Sequence, residues 1–294
     1  VVVTLELGTR LGLNVHRDQW PTPRLLASYE DAGFAWVQIH TPPRPMLADR
    51  ERSRRHARAL RAALAPHGLR LLLHGPDDLS AGTIEHDRAF DGLMDYAAEA
   101  GAELVVSHGL DFPVTDRERA EAEERSLRRL VSRAEALGVT IAIENLAPAY
   151  PSPSEPPRAG HDPLAVRDLV RRLGSPAAGL LLDVGHAHLV ASLRGDSAER
   201  AVRAVLDDVV LFGVHDNLGA RRHDLGAPGV DPLRLDLHLP PGAGCLPWDR
   251  LGPLLAGHHA PLMLEVEPSH GAAPAALMAD TMALLSRRPA ALAA

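Results

Sequence analysis

Residues 69–108 read LRLLLHGPDDLSAGTIEHDRAFDGLMDYAAEAGAELVVSH, and they hold one strand–helix–strand unit. A short apolar run, Leu71-Leu72-Leu73, stops at His74, and a Gly-Pro-Asp-Asp turn follows. An amphipathic stretch near Glu85–Ala100 then ends at Gly101, and a second apolar run, Val105-Val106-Ser107, stops at His108. Short continuous apolar runs separated by a helix suit parallel strands buried on both faces, since the crossover helices cover them.

The same unit recurs outward in both directions. Strands are predicted at Arg10–Val15, Ala35–His40, Leu69–His74, Leu104–His108, Val139–Glu144, Gly179–Asp183, Val209–His215 and Pro261–Val266. Helical patterns fall near Pro23–Ala32, Asp49–Pro66, Glu85–Ala100, Asp116–Leu137, Pro163–Leu173, Ala198–Leu206 and Pro247–Gly257, with a last one near Ala275–Ser286. Gly33, Gly68, Gly101, Gly138 and Gly174 follow predicted helices as stop signals. The strand-end residues 40, 74, 108 and 144 recur roughly every 34 residues, a βα period. Eight such units predict an α/β fold of the (β/α)8 TIM-barrel kind, a single domain over 1–294. A doubly wound open sheet is disfavoured because no glycine-rich phosphate turn follows an early strand. Two irregular stretches, near 147–160 and 217–244, follow predicted strands and are expected as active-face loops.

Composition narrows the chemistry. The chain has 294 residues, 46% of them hydrophobic, and no apolar run of about 18 residues that would span a membrane. Val1-Val2-Val3-Thr4 lacks the basic flank of a secretory signal, so a soluble, cytoplasmic protein is expected. A single cysteine, Cys245, excludes an internal disulfide framework, a cysteine-rich zinc module and an iron–sulfur cluster. All 31 basic residues are arginine, so lysine Schiff-base chemistry and a P-loop are excluded. Carboxylates, histidines, arginines or a metal must carry any reaction.

Six predicted strands end on such residues: His74, His108, Glu144, Asp183, His215 and Glu265. Any one of them alone reads as a cap or loop anchor. Barrel strands aim their C-terminal ends at one mouth, so the six can converge there. Several buried carboxylates together need a compensating cation, and mixed His/Asp/Glu ligands suit zinc, manganese or a similar divalent ion. His186 follows Asp183 as the chain leaves the barrel. Asp236 and His238, two apart in a segment expected to be extended, can face one ion. Glu267 shares the parity of Glu265 but reads as an anchor of the final loop and stays outside the set.

With these motifs assembled, LHGP (His74), VSHG (His108), IAIEN (Glu144), LLDVGHAHL (Asp183, His186), GVHDN (His215), LDLHLPPGAG (Asp236, His238) and LMLEVEP (Glu265), the chain resembles the xylose-isomerase-like TIM-barrel superfamily. That superfamily includes endonuclease IV and the sugar-phosphate isomerase/epimerase-like proteins. The resemblance implies a shared metal site at Glu144, Asp183, His215 and Glu265, with Glu144 and Glu265 also acting as acid and base. It implies substrate-oxygen contacts for His186 and Arg221. Matching endonuclease IV, His74 and His108 would join Glu144 at a second metal, and His186, Asp236 and His238 would hold a third. One to three ions per chain are therefore expected.

Two activities fit these ligands. A metal-dependent sugar or sugar-phosphate (polyol or ketose) isomerase/epimerase would move a proton through an enediolate. An endonuclease IV-like multi-zinc phosphodiesterase would cut abasic-site DNA. The second needs a basic, wedge-bearing DNA surface. Here the loop after His74 is acidic (Asp77, Asp78), aromatics make up 3% of residues and net charge is −7. Arg44, Arg50, Arg52, Arg54 and Arg55 read as a solvated helix face. The isomerase, with a small carbohydrate partner and no nucleic acid or membrane, is preferred. A catalytically inert metal-binding barrel would leave so full a ligand set without a use. His161–Leu164 and Val1–Thr9 are candidates for contact with a second copy in a homo-oligomer.

Overall fold

The computed structural model describes residues 7–148, 157–219, 235–270 and 273–287. Eight parallel strands close a barrel in chain order: β1 (Leu11–Asn14), β2 (Trp36–His40), β3 (Arg70–His74), β4 (Leu104–His108), β5 (Thr140–Glu144), β6 (Ala178–Asp183), β7 (Val209–Val214) and β8 (Leu262–Leu264). Closure is direct, with Leu11, Gly12 and Leu13 of β1 in register with Leu262, Met263 and Leu264 of β8. The expected (β/α)8 barrel is the fold observed, with strand bounds shifted by one or two residues at most ends.

The inward-facing side chains form a packed plug rather than a pore. Trp36, Leu72, Leu104, Val106, Ala142, Leu181, Leu211 and Met263 make one buried cluster inside the strands, as the layered interior of such barrels requires. A Cβ on Gly12 would stand 2.5 Å from Met263 Cε and 2.7 Å from Trp36 Cβ, so glycine there gives those two large side chains their room. A much larger apolar cluster lies between the strands and the outer helices.

Those helices are α1 (Pro23–Asp31), α2 (Arg44–Ala48), α3 (Arg50–Leu64), α4 (Ile84–Ala100), α5 (Arg117–Leu137), α6 (Pro163–Leu173), α7 (Val184–Arg194), α8 (Ala198–Arg203), α9 (Trp248–Gly257) and α10 (Pro274–Leu285). Side-chain caps from Thr83, Asp116, Asp162, Asp183 and Ser197 accept the first free N–H groups of five of them. Gly101, Gly138 and Gly174 end helices in the left-handed conformation, as their positions predict. Gly68 does not, because α3 stops earlier, at Leu64 with Ala65 as its cap.

Two helices escape the sequence pattern. Arg44 belongs to the short helix α2 and pairs with Asp78 and Glu85, while Arg50, Arg52, Arg54 and Arg55 lie exposed on α3, the solvated face expected. Helix α7 begins directly after β6 with no loop between. Seven of its residues are buried, Val184–Ala187 and Leu189–Ala191, so no clean polar stripe marks it. The described parts of the two irregular stretches, 147–148, 157–160, 217–219 and 235–244, follow β5 and β7; the rest of both expected loops lies outside the described residues. No described helix is long and apolar enough to cross a membrane.

Candidate metal and acid–base centre

The strand ends do converge. His74, Glu144, Asp183, His186, His215 and Glu265 are all buried, and His108, Asp236 and His238 are partly buried beside them. Within this set, side-chain atoms of His186, His215, Asp236 and His238 lie close enough for one ion, as do those of His74, His108 and Glu144, and of Glu144, Asp183 and His186. Arg221 lies outside the described residues.

The histidines share one orientation. Nδ1 of His74 donates to the Gly75 carbonyl (2.7 Å), that of His108 to Asp77 O (3.2 Å), that of His186 to Asn145 O (2.8 Å) and that of His238 to Glu265 O (2.8 Å). A carbonyl only accepts, so each Nδ1 carries the hydrogen and each Nε2 is turned to the carboxylates. His74 and His108 each present Nε2 at 3.5 Å from Glu144 Oε2. His186 and His238 present theirs to Asp236 Oδ2 at 3.2 and 2.9 Å, and His215 presents its Nε2 to Asp183 Oδ1 at 3.0 Å. Main-chain bonds that fix the tautomer and aim the other nitrogen are the usual support of metal-ligating histidines.

Asp183 reconciles the cap and ligand readings. It ends β6 and caps α7, its Oδ1 accepting from His186 N at 2.7 Å. Among the described residues, its Oδ2 is buried with no hydrogen-bond partner, and so is Oε2 of Glu144. Buried carboxylate oxygens without donors are costly unless a cation meets them. Gly213 keeps the space: a Cβ there would stand 2.4 Å from Asp183 Oδ2. The residues present therefore fit a divalent ion.

Without a cation, protons must take up the charge. Burial opposes charge on His74, but Glu144 outweighs it and lifts the imidazole to about 9. His238 is likewise lifted to about 9 by Asp236 against its burial. His186 lies well above its ordinary value despite its burial, because Asp183 and Asp236 flank it. Burial would raise Asp236, yet His186 and His238 hold it well below the usual carboxylate range. The two glutamates are pushed apart. Burial works against ionisation of Glu144, but His108 and His74 keep it well below its ordinary value. Burial, reinforced by the Glu144 charge, raises Glu265.

Glu144 and Glu265 open into one cavity of about 210 Å³. Asp183 and His215 do not line it; both are fully buried. Its wall includes residues the strand-end reading passed over. Trp36, Gln38 and His40 alternate along β2, and Trp36 belongs to the barrel interior. That parity turns Gln38 and His40 inward, where Gln38 Nε2 donates to Glu265 Oε1 at 2.9 Å and His40 reaches the cavity. His40 also ends its strand as His74 does, so the same rule would have found it. Glu267 lines the rim, 3.7 Å from His16 Nε2. Arg17 and Asp77 pair across the mouth at 2.7 Å.

One local expectation is corrected. Asp236 and His238 do converge, but not through an extended segment. His238 has φ +48°, in the left-handed region, where the twist returns its ring to Asp236 and stacks it on His215 with centroids 4.1 Å apart.

Comparison with known proteins agrees with the fold. Residues 26–288 match the family model described as xylose isomerase-like TIM barrel. No curated protein sequence matches. Among solved structures, a D-tagatose 3-epimerase-like protein superposes with TM-score 0.69 at 17% identity, covering 94% of this chain and 96% of the other. The 3-keto-D-glucoside 4-epimerase YcjR from E. coli gives TM-score 0.65 at 15% identity, covering 94% and 98%. The IOLI protein, solved with a bound zinc atom, gives TM-score 0.65 at 15% identity, covering 94% and 96%. At these identities the likeness speaks for the fold.

Proposed function

The chain belongs to the xylose isomerase-like TIM-barrel family, and from that premise we propose that it is a metal-dependent sugar or sugar-phosphate isomerase or epimerase. The observation that carries the reading is the pair of buried glutamates in one small polar cavity, with Glu144 held ionised and Glu265 raised. Two carboxyls whose surroundings drive their titration apart divide naturally into base and acid. The sugar-epimerase neighbours support the same class of reaction.

In this reading Glu144 takes the proton from the carbon between a carbonyl and a hydroxyl, giving an enediolate. Glu265 delivers a proton from the opposite side or to the neighbouring carbon. Gln38, donating to Glu265 Oε1, holds that carboxyl in place. His186, which lines the cavity, and Arg221, as the family resemblance implies, would contact substrate oxygens, and a cavity of this size suits a small carbohydrate. Glu144, Asp183, His215 and Glu265 would hold one divalent ion such as zinc or manganese, as the family resemblance implies, while His74 and His108 beside Glu144, and His186 beside His215, Asp236 and His238, lie close enough to hold up to two more. When bound, the metal supplies Lewis-acid polarisation of the substrate oxygens. The rim argues against a duplex-binding surface, since Asp77 and Asp78 neutralise Arg17 and Arg44 beside the mouth.

The test is solvent-deuterium exchange into a panel of ketoses and inosose-type substrates with the metal-loaded enzyme. Incorporation at the carbon next to the carbonyl, lost in Glu144→Gln, is expected. Incision of abasic-site DNA at catalytic enzyme levels, with no exchange into any sugar, would overturn the proposal.

A further inference from the structure

The GVHDN motif holds a carboxylate outside the candidate ligand set. Asp216 follows His215, is fully buried and does not line the cavity. Its Oδ1 accepts N–H groups from Asn217 (2.9 Å) and Leu246 (3.1 Å), and its Oδ2 accepts from Gly242 (2.9 Å) and the Trp248 indole (2.7 Å). Four N–H donors satisfy both oxygens of this buried side chain. The approach is tight: a Cβ on Gly244 would stand 2.2 Å from Asp216 Oδ1 and 2.3 Å from Asn217 O.

Three of these donors lie along 242–248, just beyond Asp236 and His238. The Asp216 main chain holds the nearer end as well. Its N–H donates to Leu239 O at 2.8 Å, and its carbonyl accepts Leu239 N–H at 2.9 Å, one residue past His238. On the other side, Glu267 N–H donates to His238 O at 3.0 Å and His238 Nδ1 to Glu265 O at 2.8 Å. Asp236 and His238 belong to no helix or strand. A non-glycine residue in the left-handed region, as His238 is, persists only where its surroundings over-determine it.

We infer that Asp216 is the positioning residue that presents Asp236 and His238 to His186 and His215, tying an irregular segment to the end of β7. The inference rests on the metal-dependent reading above, but concerns the assembly of the ligands rather than the reaction. Asp216→Asn is the direct probe, because either orientation of the amide sets an NH2 group against two N–H donors. Zinc affinity of the purified chain is read by competition with a chromogenic chelator, and folding by far-ultraviolet circular dichroism. Asp216→Asn is expected to keep its helix content and to weaken zinc binding about tenfold or more, the usual effect of removing support behind metal ligands. Leu60→Ala, a core truncation in α3 remote from the site, lowers stability without lowering zinc affinity.

Affinity of Asp216→Asn equal to that of wild type or of Leu60→Ala would overturn the inference, as would a wild-type chain that binds no zinc. If Asp216→Asn does not fold, Trp248→Phe decides: it removes one donor, and weakened zinc binding in a folded chain supports the inference while unchanged binding overturns it. A wild type that binds zinc and loses it in Asp216→Asn, yet exchanges deuterium into no sugar, sinks the proposed reaction and leaves the role of Asp216 standing.

Discussion

Glu123 offers a stability prediction that does not depend on the reaction. It lies in α5, is 1% exposed, and its two oxygens share a single donor, Leu110 N, at 3.2 and 3.0 Å. Burial pushes this carboxyl from 4.5 up to about 7, with the Leu110 N–H and Arg119 opposing the rise and Asp111 adding to it. Between those two values the folded chain keeps a proton that the unfolded chain has released. Stability therefore falls as pH rises through that window and levels off above it. At about 1.4 kcal/mol per pH unit, the loss between pH 5 and pH 8 is about 2.5 kcal/mol. Glu123→Gln keeps an acceptor for Leu110 N but cannot ionise. Urea unfolding of both metal-free proteins across this range should show the wild type losing about 2.5 kcal/mol more than the variant. All other titrations cancel in that difference, so parallel profiles would refute the assignment.

Four further outcomes follow from the site and its supports. Glu144→Gln should lower kcat by at least about 10²-fold, as expected for loss of a positioned acid–base group; an unimpaired variant removes Glu144 from the mechanism. Gly213→Ala places a methyl 2.4 Å from Asp183 Oδ2; thermal unfolding should show a loss of about 1–3 kcal/mol, with bound zinc reduced. His74 and His238 stand at about 9 without metal, because Glu144 and Asp236 outweigh the burial that opposes their charge. Zinc binding at pH 7 should therefore release protons, and affinity should rise as pH approaches 9. A binding heat that is the same in buffers of different ionisation enthalpy would contradict this. Asp116→Ala, which removes the cap of α5, should cost about 1 kcal/mol in urea without altering zinc content.

Much of the centre was readable from the chain because its signals are local. A strand buried on both faces is a short apolar run, and a polar residue ending it must lie at the rim. Six candidate ligand positions came from that pattern, and three more from flanking motifs. The misses have local causes too. Helix α7 is apolar around most of its surface, so its 3.6-residue period is weak. Gln38 interrupts an apolar run and drew no notice, although its parity with Trp36 and His40 marks it as inward-facing.

The strand–helix alternation determined the barrel, and the strand ends determined six of its candidate site residues, since both depend on neighbours a few positions apart. Contacts between distant segments decided the rest. Asn145 O fixes the tautomer of His186, 41 positions on, and Glu265 O fixes that of His238. Asp183 is split between a helix cap and an oxygen left open to the centre. Glu144 and Glu265 diverge in proton affinity because His108 and His74 surround one, while burial and the first carboxylate's charge act on the other. Asp216 reads in sequence as a polar residue after a histidine, and only the folded loop brings four N–H donors onto it. Hydrogen bonding and desolvation are set by distances of a few ångströms, and the folded chain alone fixes those between residues far apart in sequence.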